Sequence, residues 1–283
     1  MSSEHGKLYV VATPIGNLSD ISFRAIETLK QVDLIAAEDT RHIKILLQHY
    51  GITNKLVSLH QYNEEKASAG LLDKLLAGQS IALVSDAGTP LLSDPGMPLV
   101  KMVKDAGLDA VPIPGACALI AALSVAGLPV TRFSFEGFSP RTSSGRKAFF
   151  LEKLSQTTTW IFYESSHRIM DSLKDMAKIL PLDRQIVIAR ELTKLHETIV
   201  KTSLGNAINL VENNDNMRKG EFVIIVDGVA IDKKEQTLSS EQEKILSILL
   251  QECSIKTAVD IAVKITGVRK KLLYQAALGM KKS

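Results

Sequence analysis

The stretch from Ser80 to Gly96 limits the possible folds of this chain more than any other. Ile81, Ala82, Leu83 and Val84 form an apolar run of strand length that stops at Ser85-Asp86-Ala87-Gly88-Thr89-Pro90, a cluster of turn formers. Pro95-Gly96 then opens a helical pattern through Leu99, Val100 and Val103. A buried strand that ends in turn formers and hands over to a helix is the repeating unit of an open α/β sheet, and such sheets bind ligands beyond the carboxyl ends of their strands. This loop offers a carboxylate at Asp86, hydroxyls at Ser85, Thr89 and Ser93, and glycines that let a ligand approach the backbone. A connecting loop without a ligand has the same composition, so the residues alone leave both readings open.

The same unit recurs through the first half. Leu8 to Ala12 ends at Thr13-Pro14-Ile15-Gly16-Asn17-Leu18, ahead of a helix capped by Ser19 or Asp20 and running to about Gln31. Val32 to Ala37 delivers Glu38-Asp39-Thr40-Arg41, followed by a helix with Ile43, Leu46, Leu47 and Tyr50 on one face. Leu56 to Leu59 precedes a polar stretch from His60 to Lys66 and a helix over 66–77, while a helix over 96–106 leads to Ala110 to Ile113. That strand ends in Pro114-Gly115-Ala116-Cys117 and an Ala-rich helix closed by Gly127. Strand ends rich in Gly, Pro or charge, with helices between them, predict a parallel sheet with its site along one rim.

The texture changes after Pro129, and a domain boundary is expected near residue 128. Phe133 to Phe138 alternates as a strand, and Ser139 to Lys147 reads as a flexible basic loop. Helices are expected over 147–155, 166–179 and 204–212, and strands over 158–163, 185–189 and 222–226, with a polar stretch after the strand that ends at Ala189. Residues 229–237 read as a charged linker before three short amphipathic helices over 239–252, 256–265 and 269–279. The Thr266-Gly267 break gives the last two a helix-turn-helix look that any small helical bundle can share. From Val229 onward ten Lys or Arg stand against six acids, so the net charge of +3 leaves the first 228 residues close to neutral. A solvated helix face and a contact with nucleic-acid phosphates both account for that basic tail.

Several chemistries are absent as motifs. There is no GxxxxGK[ST] phosphate cradle, no GxGxxG after the first strand, no GxSxG elbow and no HExxH. The six histidines include no pair at metal spacing on one expected face, so no metal is expected. Cys117 and Cys253 lie in apolar helical patterns and read as buried thiols. With 45% hydrophobic residues but no apolar stretch of about 18 residues, a globular cytoplasmic protein outside the membrane is expected.

The strand-end clusters occur in a telling order. Thr13-Pro14-Ile15-Gly16-Asn17-Leu18, Ala37-Glu38-Asp39-Thr40-Arg41, Ser85 to Pro90 with Asp94-Pro95-Gly96, and Pro112-Ile113-Pro114-Gly115 come first. Glu136-Gly137-Phe138 with Pro140-Arg141, Tyr163-Glu164-Ser165 with His167-Arg168, Ala189 to Lys194 with His196-Glu197, and Lys219-Gly220-Glu221-Phe222 follow. Together they resemble the bacterial ribosomal RNA small subunit methyltransferase I family, a branch of the tetrapyrrole (corrin/porphyrin) methylase superfamily. The resemblance covers residues 8 to about 228 and continues more weakly through the tail. Ser166, where the family commonly has proline, and Ser139, where leucine is usual, depart from it.

The resemblance implies an α/β, two-domain, tetrapyrrole-methylase-like (class III methyltransferase) fold with a small C-terminal helical region, divided at 1–128, 129–228 and 229–283. It also implies a homodimer that uses S-adenosylmethionine to methylate the ribose 2′-hydroxyl of a cytidine in the decoding region of 16S rRNA, within the 30S subunit. By position, Ser85, Asp86, Ala87 and Gly88 match the superfamily's acidic cofactor loop, with Leu91 and Ser93 just beyond it. Pro114, Gly115 and Ala116 match the second cofactor loop, and Tyr163, Glu164, Leu192, Gly220 and Glu221 fall where relatives contact adenine and methionine. A sulfonium methyl is already electrophilic, so the enzyme's main task is alignment, worth about 7–11 kcal/mol. Glu38, Asp39, Arg41, Arg190, Glu191 and Lys194 are the polar residues brought to the acceptor, with a carboxylate as base. Alternatively Glu38 and Asp39 pair with Arg41 and Arg190 only to hold the rim.

Arg141, Arg146 and Lys147 on the basic loop, and Arg269, Lys270 and Lys271 in the tail, are expected to hold RNA phosphates. Pro14, Gly16, Asn17 and Arg168 complete the set assigned to RNA. A small-molecule methylase of the same fold, and a non-catalytic RNA-binding assembly protein, are the alternative readings.

Overall fold

The computed structural model describes residues 5–230 and 238–280. Residues 231–237 of the expected linker, and Lys281 and Lys282 of the basic tail, lie outside them. The chain divides into two compact units, Met1–Val229 and Ala230–Ser283.

The first unit holds two five-stranded sheets. Strands β1 (Leu8–Val11), β2 (Leu34–Ala37), β3 (Leu56–Ser58), β4 (Ile81–Val84) and β5 (Ala110–Ile113) form an all-parallel sheet in the order β3-β2-β4-β1-β5. Both faces are covered, which is why these strands read as continuous apolar runs. Helices α1 (Phe23–Gln31) and α2 (Thr40–His49) pack with Val11, Ile35, Ala82 and Val84 on one face. Helices α3 (Glu64–Leu76) and α4 (Met97–Asp105) pack with Leu8, Ala36, Ile81 and Leu83 on the other. The helices that follow β1 and β2 thus lie on the face opposite the one that follows β4, and β4 sits between those two strands. That reversal opens a crevice beyond the carboxyl end of β4.

The second sheet is mixed. It contains β6 (Phe133–Phe138), β7 (Thr159–Ser165), β8 (Gln185–Arg190), β9 (Thr198–Ser203) and β10 (Glu221–Val226), ordered β6-β7-β10-β8-β9. Only β6 and β7 run parallel. Helix α5 (Ala118–Val125) leaves the first sheet after β5 and packs with Ile161, Val187, Val223 and Ile225 of the second. Helix α6 (Ser143–Glu152), α7 (Ile169–Ala177) and α8 (Leu204–Glu212) cover the opposite face around Phe150, Trp160 and Phe162.

Three local expectations change. Residues 198–203 form edge strand β9, paired only with β8, and their half-exposed side chains blur the alternation that marks a strand. The first helix begins at Phe23 and is capped by Ser22; Leu18–Asp20 form a separate 3-10 turn. The helix expected from residue 147 begins at Ser143 instead, because the Thr142 hydroxyl accepts the Gly145 N–H at 3.1 Å.

The C-terminal unit has α9 (Ser240–Glu252), α10 (Ile255–Thr266) and α11 (Lys270–Met280) around Leu246, Val259, Ala262 and Leu273. A Ser239–Gln242 capping box starts α9, and Gly267 in the left-handed region ends α10.

The earlier start of α6 carries Arg146 inward. Its side chain is 5% exposed and forms an ion pair with Asp175 at 2.8 Å, and its third guanidinium nitrogen donates to the Arg141 carbonyl at 2.9 Å. Arg146 is therefore a buried, paired cation, not the exposed loop residue expected. Arg146→Met leaves Asp175 only Lys178 and Ser143, and is expected to cost about 3 kcal/mol in urea unfolding. Arg146→Met with Asp175→Leu is expected to regain most of that loss, and equal losses in both variants would contradict a paired core cation.

Candidate active site

The loop after β4 is tied to three neighbouring strand ends. Thr13 and Gly88 exchange backbone hydrogen bonds of 2.8 and 3.1 Å, joining it to the loop after β1. The Asp39 N–H donates to the Asp86 carboxylate at 2.9 Å, joining it to the end of β2. The Thr89 hydroxyl donates to the Ala116 carbonyl at 3.2 Å, joining it to the loop after β5.

These ties frame a cavity of about 480 Å³ between the carboxyl rim of the first sheet and the second sheet. Of the residues expected at a cofactor, Asp86, Ala87, Gly88, Ser93, Tyr163, Glu164, Leu192, Gly220 and Glu221 line it. Five others lie outside its lining. Ser85 is buried and its hydroxyl donates to the Gly88 carbonyl, so it shapes the turn. Leu91 turns into the core with Leu83 and Leu99. Pro114, Gly115 and Ala116 stop short of the cavity, where Cys117 and Ala118 form the wall.

Glu38 and Asp94 stand with Asp86 at the acidic end of this cavity. Burial pushes the Glu38 carboxyl up to about 7, and the negative charges of Asp86, Asp94 and Asp39 add to the effect against one hydrogen bond from the Asp86 backbone. Burial likewise raises Asp94 to about 6, opposed by a Ser85 hydrogen bond and reinforced by Asp86. Asp94 was missed because Asp94-Pro95-Gly96 reads as a turn; the raised carboxyl appears only when the loop folds back on Asp86. On the wall formed by the second sheet, burial lifts the Tyr163 hydroxyl to about 12, where it accepts the Leu119 N–H at 3.3 Å.

The other polar residues expected at the acceptor are paired with protein groups, and of them Lys194 lines the smaller cavity. Asp39 caps α2 and pairs with Arg41 at 2.7 Å, and the hydrogen bonds from Arg41 hold its carboxyl well below the usual range. Arg190 is buried and donates to the carbonyls of Lys219 and His196, so it fastens the loop after β8. Glu191 and Glu221 bracket the Lys194 ammonium at 2.9 and 2.8 Å. Glu191 and Thr193 adopt positive φ, as do Leu91 and Ser93 across the cavity, each costing about 1–3 kcal/mol. Gly220, at φ +97°, lies so close to Glu191 that a Cβ there would strike its carboxylate.

Two residues expected at RNA have protein partners. Arg168 donates to Glu164, Ser165 and Ser139, bracing the buried Glu164 carboxylate, which the Ser139 hydroxyl also contacts. The Asn17 side chain accepts the Ser19 N–H and caps the 3-10 turn. Pro14 and Gly16 line a smaller cavity, and Arg141, Arg269, Lys270 and Lys271 are exposed. Among the described residues no group of His, Cys, Asp and Glu could hold a metal ion, and no helix is long and apolar enough to cross a membrane.

The carboxylate cluster gives a measurable signature. The Glu38 side-chain carboxyl, followed by carbon NMR, is expected to titrate with a midpoint near 7. Asp86→Asn removes the largest neighbouring charge and should move that midpoint to lower pH; an unmoved midpoint would show that the two carboxyls do not interact.

Comparison with known proteins fits this architecture. Residues 7–208 match the family Tetrapyrrole (Corrin/Porphyrin) Methylases, and residues 236–281 match the RsmI C-terminal HTH domain. The ribosomal RNA small subunit methyltransferase I of Escherichia coli O157:H7 is 49% identical over 276 residues, covering 98% of this chain and 96% of that protein. The methyltransferase CobJ has the same fold, with a TM-score of 0.60 at 18% identity over 80% of this chain and 95% of that one. So does uroporphyrin-III C-methyl transferase from Thermus thermophilus complexed with S-adenosyl homocysteine, with a TM-score of 0.54 at 17% identity over 79% and 98%. Two sheets with a rim cavity between them, a helical C-terminal unit and near full-length identity lead to one conclusion: the chain belongs to the ribosomal RNA small subunit methyltransferase I family of tetrapyrrole-methylase-fold enzymes.

Proposed function

We propose that this protein is an S-adenosylmethionine-dependent rRNA methyltransferase that modifies the ribose 2′-hydroxyl of a cytidine in 16S rRNA of the 30S subunit. The observation that carries the reading is near full-length identity, helical C-terminal unit included, to relatives named for small-subunit rRNA methylation.

The larger cavity suits the cofactor chemically. Its volume of about 480 Å³ lies within the range of small-molecule sites. Leu192, Val223 and Phe138 supply apolar wall for an adenosine, and the acidic end at Glu38, Asp86 and Asp94 suits a cationic group. Gly220 also lines it, where the positive φ and the close packing on Glu191 both call for a residue without a Cβ. S-adenosylmethionine bound here supplies a methyl group made electrophilic by its sulfonium.

Glu38 is the residue we assign as base. A carboxyl that titrates near the working pH is the efficient proton acceptor, and Glu38 combines that pKa with a place on the cavity wall. Asp39 fails on both counts. Arg141, on the loop after β6, and Arg269, Lys270 and Lys271, at the start of α11, are exposed cations suited to RNA phosphates. Lys147 is half-buried on α6 and Lys270 already pairs with Asp260 at 2.6 Å, so both are weaker phosphate ligands.

The deciding experiment is methyl transfer from labelled S-adenosylmethionine to 30S particles lacking ribose methylation, with the product nucleoside identified by mass spectrometry. A 2′-O-methylcytidine product is expected. Cofactor binding without transfer to 30S would favour the small-molecule reading. A base at Glu38 must be ionised to act, so kcat/KM, which reports the free enzyme, should rise with pH through about 7 and level off above it. Glu38→Gln should lower kcat by about 10²–10⁴-fold, whereas Asp39→Asn should stay within a few-fold of wild type; equal effects of the two would remove Glu38 from this role.

A further inference from the structure

Beside the larger cavity lies a second one of about 250 Å³ that borders the same loop. Ile15, Asp86, Ala87 and Glu221 line both, so the two spaces meet at the Asp86–Ala87 turn. The smaller cavity is walled on one side by Pro14 and Leu18 from the loop after β1, and on the other by the first turns of α2. Ile45 of α2 is 61% exposed, an apolar side chain left to line the cavity and not the core. His42, one turn earlier, also lines it.

The charges of this cavity select what can enter. Lys194 is its ammonium group, and the carboxylates of Glu191 and Glu221 already bracket that ammonium at 2.9 and 2.8 Å. Asp86 adds a further carboxylate at the shared edge. Acids outnumber the one bracketed cation, so a phosphate is repelled from the interior, whereas a neutral group with a flat apolar face and polar edges is accepted. The volume lies below that of most drug-sized sites and suits a single small unit.

We propose that the smaller cavity receives the ribose and base of the acceptor nucleoside, flipped out of the RNA, with its phosphates left outside. The base lies against Ile45 and His42, and the ribose reaches the Asp86–Ala87 edge where the two cavities join. This rests on the rRNA methyl-transfer reading and adds the place of the acceptor and the α2 residues that hold it. Unstacking costs least in single-stranded RNA, so the site selects an unpaired nucleotide.

Ile45→Trp fills the cavity from an exposed helix position and His42→Ala removes a polar contact from its wall. Each is compared with wild type for S-adenosylhomocysteine affinity by calorimetry, melting temperature, and kcat/KM for 30S particles. Unchanged cofactor affinity and melting temperature are expected in both, with kcat/KM reduced by about tenfold or more in Ile45→Trp. Normal transfer by Ile45→Trp overturns the assignment, and so does a loss of cofactor affinity in step with transfer, which would give the cavity to the cofactor. Should Ile45→Trp fail to fold, His42→Ala decides: an unchanged kcat/KM overturns the assignment. Wild-type protein that binds S-adenosylhomocysteine but transfers nothing to 30S overturns the underlying reading, and this assignment with it.

Discussion

The hydrogen bond from the Asp39 backbone to the Asp86 carboxylate, at 2.9 Å, joins two loops that would otherwise diverge. Beyond β2 the chain goes to one face of the sheet and beyond β4 to the other, which is what opens a crevice there. The bond fixes the width of that crevice at its acidic end. It also brings Glu38 beside Asp86, and the loop that carries Asp86 then returns with Asp94. Three carboxyls in a partly dry space cannot all ionise cheaply, so two of them move toward neutrality. Glu38 thus owes its raised pKa first to burial and then to the carboxylates gathered around it.

Such a cluster costs stability, and the surrounding loops add to the cost. Leu91, Ser93, Glu191 and Thr193 all sit at positive φ, on the two loops that face each other over the cavity. At about 1–3 kcal/mol each this is comparable with a domain's whole net stability, so the cores beneath must compensate. They are suited to it. Both faces of the first sheet are covered by helices, and the second sheet is buried between α5 and the aromatic core at Phe150, Trp160 and Phe162. Gly16 shows how closely the two rims meet: a Cβ there would lie 2.5 Å from Lys194 Cγ and 3.0 Å from the Leu192 carbonyl.

The parallel sheet was legible because a strand buried on both faces must be apolar throughout, and its exits must be polar. Hence Ile81 to Val84, with the turn at Ser85, read as a buried strand with a polar exit. Strand β9 was not legible, because an edge strand with half-exposed side chains carries little hydrophobic contrast. The residues expected at the cofactor divide into those that line the larger cavity and those that do not. Asp86 to Gly88 reach the cavity, but Ser85 and Leu91, on either side of them, point into the turn and the core. Motif position gives the loop; which side chain faces the ligand depends on backbone angles such as the positive φ of Leu91.

The arginines show where reading by residue type fails. Arg146, Arg168 and Arg190 were each expected to meet RNA or the acceptor, and each has its donors taken by protein groups: Asp175, Glu164 and two loop carbonyls. A guanidinium has five donors in a fixed plane, so it is as well suited to bracing a buried loop as to gripping a phosphate. The sequence does not show which partners arrive first. In this chain these three arginines brace the protein's own loops and helices, while Arg141 is left exposed. Position in the sequence does not separate the two cases: Arg141 and Arg146 lie on one short stretch, yet the first is exposed and the second is 5% exposed.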